Sequence, residues 1–250
     1  MSEPLLLRRD ENGVCMLTLN RPSVLNALNL ELFEALEAEL ARLETQGDVI
    51  GCVMLRAAGR AFCAGADVKA SAAGAPTGAF NYRQGVIDRL SNLPIPVIAA
   101  VHGICYGGGL ELALAADIIV ADASAQFSDP HGKWGYVAVW GLTQRLPRRI
   151  GYAQAKRMMF TARIVEAQEA LSLGLVDVLA AASLDEDVNA LASAILANSW
   201  HTNRETKRIL RATEGMTLSE GLAYETYKTP GWAPDTKERL AAFSEKSSRK

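Results

Sequence analysis

The sequence predicts an α/β protein, on two observations. Short apolar runs alternate with apolar residues at helical spacing through the amino-terminal half, and nearly everything from Tyr152 onward has helical character. The chain has 250 residues, 49% hydrophobic and 22% charged, enough for one large domain with a helical appendage. Val14 to Leu19 reads as a strand, and Leu32, Phe33, Leu36, Leu40 and Leu43 then mark one face of a helix. A second strand is expected over Val49 to Arg56. Ser71 to Gly78, SAAGAPTG, is small and contains proline and glycine, which predicts a mobile loop before a helix from about Phe80 to Leu93. Pro96 to Val101 is an apolar strand leading to a turn and a glycine-rich helix start. Further on, a turn over Gly174-Leu175-Val176-Asp177 and a short strand to Leu179 interrupt the helices, and no clean linker divides the chain. Periodicity alone leaves an open doubly wound sheet equally possible. A dinucleotide fold fails on detail, because Gly103 to Gly109 lacks GxGxxG and Asp117 and Asp122 come too soon to meet a ribose. Neither glycine-rich turn continues into Gly-Lys-Ser or Gly-Lys-Thr, so a phosphate loop fails too.

A net charge of −2 gives no pull toward nucleic acid or an anionic membrane. The apolar runs are far short of a bilayer span, and Met1 to Asp10 lacks a signal-peptide core, so the expected location is cytoplasmic. Cys15, Cys52, Cys63 and Cys105 are scattered, without CxxC spacing, and are expected to be reduced thiols; Cys63 and Cys105 fall near the turns described next, as packing residues or as a nucleophile. His102, His131 and His201 have no metal-binding spacing, and no metal is expected. His102, beside Gly103, suits a turn hydrogen bond.

Two segments carry the chemistry. PVIAAVHGICYGGGLELALAAD, Pro96 to Asp117, places three glycines at a helix mouth with Glu111 in the first turn. Amides freed at a helix start point outward, and glycine removes the side chains that would keep a ligand oxygen away. A carboxylate one turn further in suits proton transfer beside that oxygen; the plain alternative is close packing, with Glu111 meeting the helix dipole. GRAFCAGADVK, Gly59 to Lys69, puts Ala64-Gly65-Ala66-Asp67 in a second tight turn. One donor from each turn, converging on one oxygen, would stabilise developing negative charge.

Together the AGAD turn and the GGG-x-E helix start resemble the signatures of the crotonase superfamily, the enoyl-CoA hydratase/isomerase family. Leu19-Asn20-Arg21-Pro22 with Leu25-Asn26-Ala27-Leu28 is similar to its amino-terminal signature. Ala125-Gln126-Phe127, Thr143-Gln144-Arg145-Leu146 and Ala242-Phe243-Ser244-Glu245-Lys246 resemble later segments, so the likeness spans most of the chain. It implies a spiral of strand-strand-helix repeats over residues 1–190 and a helical carboxy-terminal region over 191–250 that forms a homotrimer or a dimer of trimers. It also implies an acyl-CoA thioester as ligand, with no cofactor apart from the coenzyme A of the substrate. The oxyanion donors would be the backbone N–H groups of Ala66 and Gly108. Leu25, Ala64, Asp67 and Val68 would line the coenzyme A path, and Lys69 and Arg21 would meet phosphates or stay solvated.

The departure lies downstream. Hydratases of the family use two glutamates, the second in a Pro-Glu pair; here the pair is Pro130-His131. Syn hydration needs one group to activate water and a proton source for the α-carbon, and imidazole keeps titratable chemistry with a different charge and shape. Three readings stay open. Glu111 and His131 act as the catalytic acid and base, with Trp134, Tyr136 and Trp140 crowding the pocket; Glu111 acts alone with water or with Asp129 standing in; or the chain binds acyl-CoA without turnover. The expected activity is that of an enoyl-CoA hydratase-like lyase, with an isomerase, another reaction of the superfamily or a noncatalytic acyl-CoA-binding protein as alternatives.

Overall fold

The computed structural model describes residues 3–74, 78–79, 81–229 and 231–247. It opens with a hairpin, β1 (Leu6–Glu11) and β2 (Val14–Leu19), turned by Asn12 and Gly13, both at positive φ as the twist of a two-residue hairpin requires. Helix α1 (Leu30–Leu43) starts where the Asn29 side chain accepts the Leu32 N–H, and it buries Leu32, Phe33, Leu36, Leu40 and Leu43. β3 (Cys52–Ala57) begins later than the sequence suggests, because the N–H groups of Val49 and Ile50 both donate to the Gln46 carbonyl and keep the chain in a turn. α2 (Val68–Ala72) takes in the start of the expected loop over Ser71–Gly78; residues 75–77 and Phe80 lie outside the described residues. Then follow α3 (Tyr82–Asn92), β4 (Val97–Val101), β5 (Ile104–Tyr106), α4 (Gly108–Ala113), β6 (Ile118–Ala121) and β7 (Gln126–Ser128). The rest is α5 (His131–Trp134), α6 (Leu142–Thr161), β8 (Val165–Glu166), α7 (Ala167–Leu173), β9 (Val178–Leu179), α8 (Leu184–Ala197), α9 (Trp200–Ala212), α10 (Leu218–Lys228) and α11 (Thr236–Ser247). α6 is broken at Gly151, whose φ of 77° leaves the helical region.

The strands form two sheets. The larger runs β1-β2-β3-β4-β6-β9 and is parallel except for the hairpin; the smaller runs β5-β7-β8. The chain therefore passes from a strand of the large sheet to a strand of the small sheet and then to a helix, as in β4-β5-α4 and β6-β7-α5. That repeat is the expected spiral; a doubly wound sheet would lead from each strand straight into a helix.

β3 and β4 are apolar almost throughout because both faces are covered. Val53, Leu55, Val97, Ala99 and Val101 face the main core with α1 and α3, while Met54, Ile98 and Ala100 face Val188 and Ala192 of α8. Asn26 is the main polar anchor in this region. Wholly buried at a φ of 55°, it donates to the carbonyls of Ala58 and Ala61, 2.8 Å each, and accepts the Arg21 N–H at 2.8 Å. The Leu25–Leu28 turn is thereby pinned to the segment that leads into Ala64–Asp67.

Candidate active site

Two turns from distant parts of the sequence meet because a short stretch before one of them joins the small sheet. The Cys63 N–H donates to the Ile104 carbonyl at 2.9 Å and the Tyr106 N–H to the Cys63 carbonyl at 3.0 Å, laying residues 62–63 beside β5. Gly65, at a φ of 104°, then comes so near that a Cβ on it would lie 2.9 Å from the Tyr106 oxygen and 3.4 Å from the Gly108 nitrogen. The three glycines of α4 answer different needs. Gly107 sits at a φ of 49°, where side chains are disfavoured, whereas Gly108 has ordinary helical backbone and is needed for space. A Cβ there would penetrate the Trp140 indole and lie 3.3 Å from the Ala66 nitrogen, and one on Gly109 would lie 2.8 Å from the Cys63 Cβ.

The nitrogens of Ala66 and Gly108 thus stand close together. Leu28 bridges the residues on either side of Ala66, taking the Asp67 N–H at 3.0 Å and donating to the Gly65 carbonyl at 2.8 Å, so the Ala66 N–H is passed over. Gly108 opens its helix, where an N–H has no intrahelical acceptor. Among the described residues neither N–H has an acceptor, and both residues line one cleft of about 380 Å³. Leu25, Ala64, Asp67, Val68 and His131 line it too, as do the exposed Trp134 and Tyr136.

Glu111 lies behind this cleft with its side chain fully buried. Its Oε1 accepts the N–H groups of Trp140 at 2.8 Å and Leu142 at 3.2 Å, at the start of α6. Its Oε2 is buried without a hydrogen-bond partner and lies 3.8 Å from His131 Nε2. On the other side of the imidazole, Nδ1 is hydrogen-bonded to Asp129 Oδ1, which also accepts the His131 N–H at 3.1 Å. Asp129, His131 and Glu111 form a row, with Asp129 turned to the imidazole.

Burial pushes the Glu111 pKa up, opposed by the positive charge available on His131 and by the two N–H donors. Burial works against protonation of His131, but the hydrogen bond and charge of Asp129, together with the charge of Glu111, outweigh it and leave that pKa raised. Both members of the pair therefore hold protons more firmly than they would in water.

Burial also pushes the Cys63 thiol up to about 12 and the Cys105 thiol well above its usual value, so neither serves as a thiolate nucleophile near neutral pH. His102 Nε2 bonds the Gly59 carbonyl at 2.9 Å, as its sequence context suggests. Arg21 is taken up by Asp67 at 3.0 Å, leaving Arg60 and Lys69 as the cations lining the cleft. Arg145, Arg148 and Arg149 pair with Asp88, Glu214 and Asp177. Among the described residues no group of three or more His, Cys, Asp or Glu side chains is arranged to hold a metal ion. Sequence reasoning missed that Asp129 orients His131, although Asp-Pro-His has the makings of a turn closed by the aspartate side chain. It also missed the main-chain grip of Trp140 and Leu142 on Glu111, which leaves no local trace.

The family described as enoyl-CoA hydratase/isomerase matches residues 9–250. A probable enoyl-CoA hydratase of Mycobacterium tuberculosis is 37% identical over 251 residues, covering 98% of this chain and 96% of that protein. The short-chain-enoyl-CoA hydratase of Clostridium acetobutylicum is 32% identical, covering 94% and 93%. A crystal structure of enoyl-CoA hydratase from Bacillus anthracis superposes with a TM-score of 0.90 at 33% identity over 97% of each chain. The spiral, the paired turns and these likenesses agree: the chain belongs to the enoyl-CoA hydratase/isomerase family of the crotonase superfamily and is an enoyl-CoA hydratase-like enzyme.

Proposed function

We propose that the protein adds water to a 2-enoyl-CoA thioester, with His131 in the place of the second glutamate. The observation that carries this is the row of Asp129, His131 and the bare Oε2 of Glu111 beside the two unused N–H groups of Ala66 and Gly108. The thioester oxygen takes both N–H bonds. His131 Nε2 accepts a proton from water as the hydroxyl adds to the β-carbon, and the double-bond electrons pass to the thioester oxygen as an enolate held by the two donors. Glu111, whose pKa burial raises, starts protonated in this scheme and gives its proton to the α-carbon; His131 then passes the proton it took from water to Glu111, so the pair ends with the single proton it began with. Leu25, Ala64, Asp67 and Val68 border the coenzyme A portion, with Arg60 and Lys69 near its phosphates.

A homotrimer, or a dimer of trimers, accords with the apolar side chains left uncovered on and beside α10: Leu218, Tyr227 and Trp232 are all more than 70% exposed. Sedimentation of the full chain reads this directly.

The test of the activity is loss of the conjugated absorbance of crotonyl-CoA with wild type, Glu111→Ala and His131→Ala. Each variant is expected to lose on the order of a hundredfold or more in kcat. Hydration that survives His131→Ala within threefold would remove the imidazole from the mechanism, and wild type that binds the thioester without hydrating it would overturn the reading.

A further inference from the structure

One cation that packs against Trp140 has no part in this mechanism. Arg83, on α3, has its Nε buried without an acceptor, and its guanidinium forms no ion pair or hydrogen bond among the described residues. Its Cζ lies 5.7 Å from the centre of the Phe33 ring and 5.8 Å from that of Trp140. These two rings pack edge to face, 5.2 Å apart. The acidic side chain whose charge reaches it is Glu31, exposed in the first turn of α1 and out of hydrogen-bond range.

Trp140 ties this cation to the site. Its indole fills the space where a Cβ on Gly108 would go, and its main-chain N–H holds Glu111 Oε1. The guanidinium therefore packs on the same ring that walls the proposed enolate position. Arg60 and Lys69, the cations that line the cleft, flank the Ala64–Val68 segment instead. Arg83 is half-buried, and shielding its Nε from water without an acceptor is costly; the faces of two aromatic rings recover only part of that cost. A carboxylate recovers much more, through two parallel N–H bonds.

Building on the hydratase reading, we propose that Arg83 is a specificity-determining residue that receives a carboxylate at the far end of the acyl group. The preferred substrate is then the coenzyme A thioester of a short unsaturated dicarboxylic acid. Arg83 does not line the empty cleft, so the proposal requires the edge of the Trp140 indole to give way to the acyl tail.

The experiment compares glutaconyl-CoA with crotonyl-CoA for wild type, Arg83→Met and Arg83→Lys. Wild type is expected to favour the acid at least tenfold in kcat/KM. Arg83→Met should reduce that acid-to-neutral ratio about ten- to a hundredfold, the worth of a hydrogen bond to a charged group, and Arg83→Lys should restore part of it. Calorimetric binding of the saturated glutaryl-CoA and butyryl-CoA to the same proteins separates the two claims. If binding favours the acid through Arg83 but nothing is hydrated, the activity reading fails and the subsite stands. If crotonyl-CoA is hydrated as well as glutaconyl-CoA, or Arg83→Met affects both alike, the subsite is overturned while the activity stands. A preference present in wild type but unchanged in Arg83→Met also overturns it, as does a chain that binds neither saturated thioester. Should Arg83→Met fail to fold, the wild-type preference and Arg83→Lys still decide.

Discussion

Replacing Gly108 with alanine tests the proposed oxyanion site without touching a titratable group. The backbone at Gly108 is helical and accepts alanine, so the effect is steric. The new Cβ lies 3.0 Å from Trp140 Cε3, closer still to the next ring atom, and 3.3 Å from the Ala66 nitrogen. It can be housed only by displacing the indole that packs against the two donors, which disturbs the place proposed for the thioester oxygen. Loss of one oxyanion donor costs about 10²–10³ in kcat, and forcing the indole back costs about 1–3 kcal/mol of stability. The second effect lowers Tm by roughly 2–4 °C per kcal/mol in a chain of this size. Moving Trp140 also disturbs the N–H that holds Glu111, which lowers the rate further. Gly85→Ala is the matched control, since a Cβ there meets nothing within 4 Å. The assay is steady-state hydration of crotonyl-CoA with a thermal melt of each protein. A Gly108→Ala enzyme within fivefold of wild type in kcat, melting below it as expected, would show that the close approach serves packing and not the oxyanion.

Two further outcomes are expected. Asp129→Asn keeps a hydrogen bond to His131 but removes the charge that raises its pKa, so the low-pH limb of kcat, where His131 must lose its proton to act as base, moves to lower pH as kcat falls; a limb that stays put in the pH-rate profile would refute the Asp129 role. Asn26→Ala leaves the Ala58 and Ala61 carbonyls and the Arg21 N–H without their partner, at about 1–3 kcal/mol per buried group, and urea unfolding showing a loss under 1 kcal/mol would contradict its anchoring role.

Much of the fold was legible in local pattern. The apolar stripe of α1 and the unbroken apolar run of β4 follow from one covered face and from two. The spiral was reached through resemblance, because β5 and β7 are three residues each and the pairing of Cys63 with Cys105 joins residues that local propensity cannot connect. At the site, glycines and Glu111 stood out because close approach and helix starts restrict residue choice. His131 stood out only against the family pattern. What it does depends on Asp129 bending back through a turn and on Glu111 reaching the start of α6, both of which are set by tertiary placement. Arg83 gave no signal, since an arginine in a polar helical stretch looks solvated until two rings are found against it.

Threading the stretch before Ala64 onto β5 has a mechanical result. One turn follows β5 and the other follows a short segment bridged to it by hydrogen bonds, so their spacing is fixed before any ligand arrives, and capture of the thioester needs no ordering of loop backbone. Local fluctuations that open the amino-terminal hairpin or fray α11 leave that spacing intact. The amide protons of Cys63 and Tyr106 should accordingly exchange with solvent only when the sheet itself comes apart, making them reporters of global unfolding that lie within a few residues of the chemistry.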